Sequence, residues 1–374
     1  MADASQTSAP DADARIDVSP ARLMWRRFRK HRVAMGSMVL LFGFAIIAIG
    51  AEFFATTDPH LPEAHRSLMP PQSIRLFDGS TFRPHVLAVR GHRDPQTLQR
   101  VYEVDPDRRI PVRLFGHGYE YRLLGLIRTD RHLIGVTREH KGEPAIFLLG
   151  TDVQGRDLWS RLMLATRVSM SIGLVGVALS LLIGIVLGGF AGYLGGWVDM
   201  TVQRMIEILR SIPTIPLWMG LAAAMPRDWS ILRVYLAITI ILSLIGWTEL
   251  ARVVRGRFLV LREEDFVKAA RLIGARRKRI IFRHMLPSFY SHIIAATTVA
   301  IPTMIISETA LSFLGLGLRP PAVSWGVLLQ QAQNVQSVAL SPWLMIPAIP
   351  VIIAVMAFNF VGDGLRDAAD PYGQ

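Results

Sequence analysis

The longest stretches without a single Asp, Glu, Lys or Arg are 320–362, forty-three residues, and 168–198, thirty-one. Four more follow: 284–307 (twenty-four), 33–51 (nineteen), 211–226 (sixteen) and 234–248 (fifteen). A helix needs about 20 apolar residues to cross a bilayer, with a range of roughly 17–25. These windows predict six transmembrane helices, at about 33–55, 168–192, 205–225, 231–250, 288–314 and 342–362. The expected class is an all-α integral membrane protein, in keeping with 51% hydrophobic residues and a mean hydropathy of +0.35. The two shortest windows imply helices that run past a terminal charge.

The net charge of +12 would suit a nucleic-acid binder if the chain were soluble. Here the positive-inside rule accounts for it. Arg26, Arg27, Arg29, Lys30 and Arg32 precede the first span, and 250–288 holds eleven Lys and Arg against three Asp and Glu. Both regions are expected in the cytoplasm, with six crossings bringing both termini there. Segment 57–150 holds fourteen basic residues yet falls outside, which is allowed because long loops translocate largely regardless of charge. The first apolar run is too long for a signal-peptide core and is read as a retained anchor. Residues 1–20 have a disordered composition. With no cysteine, disulfide staples and thiolate-ligated zinc are excluded.

Segment 57–150 reads as a small β-rich insertion. "RLFDGSTF" sets an Asp-Gly pair between apolar runs, a hairpin signal, and 98–126 mixes β-formers with turn residues. Its histidines (His60, His65, His85, His92, His117, His132 and His140) show no ligand spacing and read as scattered surface residues. In the expected third span, Glu207 and Arg210 stand three apart and are expected to pair on one face, at a pathway mouth or as an interfacial ion pair. Glu308, beside Ser307, follows a charge-free run near the outer end of the fifth span. A carboxylate there must face protein or water; it either lines a pathway or anchors the Gly-rich turn after it. Every lysine lacks a preceding glycine, so no P-loop occurs, and neither HExxH nor GxSxG is present.

The segment 263–287, "EEDFVKAARLIGARRKRIIFRHMLP", carries ten charges in twenty-five residues between two apolar stretches. Phe266, Ala269, Ala270 and Ile273 share one helical stripe. Three acids open the helix, where they favour its dipole, and Gly274 stands where a glycine ends one. Lys268, Arg271 and Glu264 lie off the stripe. A stripe half made of alanine suits a protein groove better than a lipid surface.

This segment resembles the EAA loop of ABC importer permeases, Glu-Ala-Ala, three residues, Gly, nine residues, Ile-x-Leu-Pro. Ala269, Ala270, Gly274, Leu286 and Pro287 match; Lys268 stands in place of the glutamate and His284 in place of the isoleucine. "GTDVQGRD" (150–157), "GYLGGWVD" (192–199), "ETALSFLGLGLRPPAVSWG" (308–326) and "AFNFVGDGLRDAADP" (357–371) are similar to the C-type permease of dipeptide and oligopeptide importers. The resemblance covers about 22–56 and 148–372. It implies a type I ABC importer permease fold. The organisation becomes a cytoplasmic segment 1–32, a first span 33–56, a periplasmic insertion 57–150, a five-helix core 151–362 and a cytoplasmic tail 363–374. It further implies a second permease, two cytosolic ATPases that carry ATP and Mg, a periplasmic binding protein and a peptide substrate, with no cofactor in this chain. ATPase coupling then falls to Glu264, Phe266, Lys268, Ala269, Ala270, Arg271, Ile273, Gly274 and Ala275, and the path candidates are Glu207, Arg210, Ser307 and Glu308. The competing reading, a secondary transporter or channel working without ATPases, would call for internal repeats, and none is evident.

Overall fold

The computed structural model describes residues 20–96, 100–123, 125–136, 146–226 and 228–369. Helices α1 (Pro20–Phe28) and α2 (Arg32–Ile49) lead to a single turn, α3 (Ala51–Phe54). Six strands follow: β1 (Arg75–Asp78), β2 (Thr81–Arg93), β3 (Arg100–Leu114), β4 (His117–Leu123), β5 (Ile127–Arg131) and β6 (Ile134–Val136). Then come α4 (Leu158–Leu194), α5 (Gly196–Ser211), α6 (Thr214–Ala223), α7 (Ile231–Leu261), α8 (Asp265–Leu272) and α9 (Arg277–Arg279). The last are α10 (Tyr290–Phe313), α11 (Trp325–Gln330), α12 (Val335–Leu340) and α13 (Ala348–Ala369).

Helices α4 and α7 form the spine. Gly184, Gly188 and Gly192 recur every fourth residue of α4, on the face that meets α7. A Cβ on Gly188 would lie 2.4 Å from the Ala251 carbonyl oxygen, and one on Gly192 2.6 Å from the Phe258 Cβ. Lipid offers no hydrophobic drive for helices to associate, so close backbone approach through small residues supplies the packing. Gly188→Leu is therefore expected to force the pair apart, at a cost of about 3 kcal/mol or more. The check is recovery of a monodisperse peak in detergent. Gly220→Leu, where the added carbon meets nothing within 4 Å, should behave as wild type.

Five helices among the described residues are long and apolar enough to cross a membrane: Arg32–Ile49, Leu158–Leu194, Ile231–Leu261, His292–Phe313 and Pro342–Ala368. The expected third span, 205–225, is not one helix. Pro213 forces Ile212 into extended backbone (φ −88°, ψ 129°) because its ring clashes with a helical predecessor. This ends α5 at Ser211 and restarts the chain as α6. Ten residues of α6 rise only about 15 Å, too little to cross alone. Elsewhere the helices outrun their apolar windows: α4 begins ten residues before Val168, α7 continues through Arg252, Arg255 and Arg257, and α13 continues through 363–369, where a tail was expected. The disorder expected of 1–20 falls outside the described residues except at Pro20, which opens α1.

The six described strands between α3 and α4 form one sheet, ordered β1-β2-β3-β6-β4-β5. The "RLFDGSTF" stretch forms the first hairpin, with Asp78 paired to Thr81 across Gly79 at φ +60°. Not all its histidines are at the surface: His85 and His132 are buried. The His132 Nδ1 and Nε2 lie 2.9 Å from the carbonyl oxygens of Glu52 and Tyr119, and the Leu133 N–H donates to Phe53 O at 2.8 Å. These bonds tie the sheet to the end of the first long helix. The 150–157 stretch ties it to the rest. Asp157 caps α4 and accepts from Thr56 Oγ1 at 3.0 Å, while buried Asp152 accepts from Arg156 Nε at 2.7 Å and from Gln331 Nε2 at 3.2 Å.

Candidate functional site

The charged loop is built as a rigid bracket. Helix α8 begins after Glu264, whose carbonyl accepts from the N–H groups of Val267 and Lys268, both at 3.1 Å. It ends in a Schellman motif: the Ala275 N–H donates to Ala270 O at 3.0 Å and the Gly274 N–H to Arg271 O at 3.0 Å. Gly274 takes φ +75°, a left-handed conformation that side-chain-bearing residues adopt at a cost of about 1–2 kcal/mol. The Arg271 guanidinium stacks over the Tyr193 ring at 4.9 Å, pinning the helix to the end of α4. After α9, one turn of π-helix at Ile280–Met285 and a 3-10 turn at Leu286–Phe289 return the chain to α10.

The expected single apolar stripe divides between two faces. Val267 and Ala270 are buried against Tyr193, Val254, Phe258 and Ile281. Burial of Val267 alone contributes about 1.5 kcal/mol or more. Phe266 and Ala269 point away and are exposed, with Leu272 and Ile273 at 88% and 83%. Ala270 therefore faces its own chain and not outward, because it sits on the same arc as Val267. Lys268 and Glu264 are exposed, and Ala275 packs against the buried cluster. Leu272 was missed. It closes the helix three residues after Ala269, on the same open face, although the spacing counted from Phe266 passes it by.

Among the long helices lies an open cavity of about 550 Å³, walled by residues of α4, α6, α7 and α10 and by the break at Ile212 and Pro213. Arg210 and Ser307 line it. Arg210 does not pair with Glu207. Its Nη1 donates to Glu249 Oε2 of α7 at 2.5 Å, and Glu207 instead accepts from Arg204 at 2.7 Å, away from the cavity. The i, i+3 pairing was lost to a partner thirty-nine residues away, which local spacing cannot reveal. Glu249 closes one end of a charge-free window, and that is the one sequence signal it carries. The Ser307 hydroxyl donates back to Thr303 O at 2.7 Å.

Glu308, next to Ser307, turns the other way and is fully buried. It accepts from Ser169 Oγ at 3.1 Å and Ser312 Oγ at 2.8 Å, and also bonds Ser324. Ser312 in turn accepts from the Leu318 N–H at 3.0 Å, and Ser169 from the Trp325 N–H at 3.1 Å. Of its two expected roles, the geometry selects the anchor: the carboxylate clasps the 314–326 turn to α4 and does not line the cavity. A second, larger groove of about 1180 Å³ lies between the sheet and α12, walled in part by Arg93, Arg100, Tyr102, Gln336, Leu340 and Trp343.

Comparison with known proteins agrees along most of the chain. The family described as "Binding-protein-dependent transport system inner membrane component" matches residues 184–372, and "N-terminal TM domain of oligopeptide transport permease C" matches residues 19–71. The oligopeptide transport system permease protein OppC of Haemophilus influenzae is 39% identical over 223 residues, 59% of this chain and 69% of that protein. OppC of Bacillus subtilis is 34% identical over 254 residues, 68% and 77% of the two chains. The glutathione transport system permease protein GsiD of Pectobacterium atrosepticum is 37% identical over 235 residues, 63% and 75%. Among solved structures, the inward-facing MetNI methionine ABC transporter is similar over 55% of this chain and 95% of that one, at 19% identity and a TM-score of 0.43.

Proposed function

The chain belongs to the inner membrane components of binding-protein-dependent transport systems, and from that membership we propose how its parts divide the work. It is the permease subunit of a peptide ABC importer, a multi-pass inner membrane protein that is itself non-catalytic, with ATP hydrolysis on a separate subunit. In the proposed arrangement a second permease completes the path, two cytoplasmic ATPases carry ATP and Mg, and a periplasmic binding protein delivers the peptide. The α5–α6 pair makes one crossing, so both termini lie in the cytoplasm and the sheet lies in the periplasm. Peptide passes along the cavity, where Arg210 and Glu249 offer charges of both signs and Ser307 a hydroxyl. The groove between the sheet and α12 receives the binding protein.

One observation carries the coupling assignment. Helix α8 is fixed to its own chain by Val267, Ala270 and Arg271, while Phe266, Ala269, Leu272 and Ile273 stand open. Such a helix lays its free apolar face into a groove of the ATPase and passes movement to α7 through Val254 and Phe258. Lys268 meets an acidic group there, in place of the motif glutamate. The absence of cysteine gives a direct test. In the assembled transporter, Ala269→Cys should cross-link through a short bifunctional reagent to the ATPase, with uptake blocked by the link and restored on its cleavage. A thiol at 269 that stays freely reactive and links to nothing would refute the contact.

A further inference from the structure

The sheet carries an apolar surface that the transport reading leaves unused. Leu126 and Ile127, at the tip of the β4–β5 hairpin, are 84% and 64% exposed, and Leu114 and Phe115 near its base are 73% and 60%. β5 is an edge strand. Beyond Ile127 the strand is polar (Arg128, Thr129, Asp130, Arg131), so the exposed apolar side chains gather at the tip and at the base, and apolar side chains grouped in a polar rim mark a contact surface.

Two further observations say what covers it. The base of the hairpin sits where the first long helix ends. Phe115 packs on Phe53 with ring centroids 6.0 Å apart, and His132 and Leu133 bond the carbonyls of Glu52 and Phe53. The apolar residues at the base of the hairpin thus adjoin the end of α2, whose most apolar window is only 11% buried inside the chain and is open to lipid. Next to the tip, Arg122 and Arg128 are direct cross-strand partners, and both are exposed. Like charges placed opposite each other destabilise a ladder unless an anion lies between or beneath them.

We propose that the β4–β5 hairpin is a lipid anchor. Leu126 and Ile127 enter the interface of the leaflet at which α2 ends, and Arg122 and Arg128 take anionic phospholipid headgroups. Side chains with apolar bodies at the interface and guanidinium groups at the headgroups follow the pattern of interfacial anchoring. The anchor holds the far end of the hairpin at the membrane surface, while Glu52, Phe53 and the 150–157 stretch tether the base of the sheet.

The test again uses the cysteine-free background. Leu126→Cys, with an environment-sensitive fluorophore, is placed in the complete transporter in nanodiscs. Val104→Cys, exposed on β3, is the water-facing reference. The label at 126 should be quenched by lipids with a nitroxide high on the acyl chain and protected from aqueous iodide. Each arginine replaced by alanine should weaken its lipid partitioning about five-fold in discs rich in anionic lipid. Iodide quenching equal to that at 104 would overturn the anchor. Protection that arises only on adding the binding protein would also overturn it, in favour of a protein contact. Equal partitioning in neutral and anionic discs would overturn the headgroup assignment.

Discussion

Ile273→Asp is expected to abolish peptide uptake while leaving the permease folded and inserted. Ile273 is the C-cap of α8 and is 83% exposed, so the substitution removes almost nothing from the chain's own core. In a docked groove it loses about 2–3 kcal/mol of apolar burial and adds a carboxylate with no partner, which costs more again. A combined loss of about 4 kcal/mol weakens docking roughly a thousand-fold. The readouts are membrane abundance, ATPase co-purification and uptake; the first should be unchanged and the other two lost. Ala270→Asp provides the contrast. Its carboxylate would be buried beside Phe258 and Ile281, so it should lower thermal stability as well as uptake. An Ile273→Asp permease that retains its ATPase and transports normally would remove the coupling face from this helix.

Glu308→Ala is expected to destabilise the chain strongly. The carboxylate receives Ser169 and Ser312 and also bonds Ser324, and its loss leaves three buried hydroxyls short of a partner. Each unsatisfied group costs about 1–3 kcal/mol, and the emptied volume adds a cavity penalty. A total near 4 kcal/mol corresponds to a drop of roughly 10 °C in the unfolding midpoint. Glu308→Gln keeps one carbonyl acceptor in the same shape, and the serine hydroxyls can rotate to accept from its amide, so it should lose less than half as much. Thermal unfolding of both variants in one detergent compares them. An alanine variant as stable as wild type would mean that packing, and not the carboxylate, holds the 314–326 turn.

Most of the long helices were legible because hydrocarbon tolerates few charges, and charge-free windows mark them directly. Their ends were not, since helices continue through arginines such as Arg252 and Arg255 once outside the apolar layer. Pro213 was visible in the sequence, but membranes accept both kinked and broken helices. Only the extended backbone of Ile212 distinguishes them. For the loop, Gly274 stands as the helix stop, while the apolar positions that helical spacing put on one stripe divide between two faces. Spacing does not say which side is occupied by the chain itself. That depended on Tyr193, Val254 and Phe258, which come from other helices. Arg210 and Glu308 show the same limit. Each was noticed as a charge beside an apolar run, and each drew its role from partners distant in sequence, Glu249 for one and Ser169 for the other.

The glycine-filled seam between α4 and α7 has a mechanical consequence. Because backbone touches backbone at Gly188 and Gly192, no layer of side chains lies between the two helices to deform or slide. A push on α8 enters α7 at Val254 and Phe258 and is shared at once with α4. The two helices, about 55 Å and 46 Å long by their rise, act as one stiff beam. Compliance must then gather where the hydrogen-bond ladder is already interrupted, at Ile212 and Pro213 on the cavity wall. The stiff seam thus directs the bending to the short stretch of chain that borders the cavity.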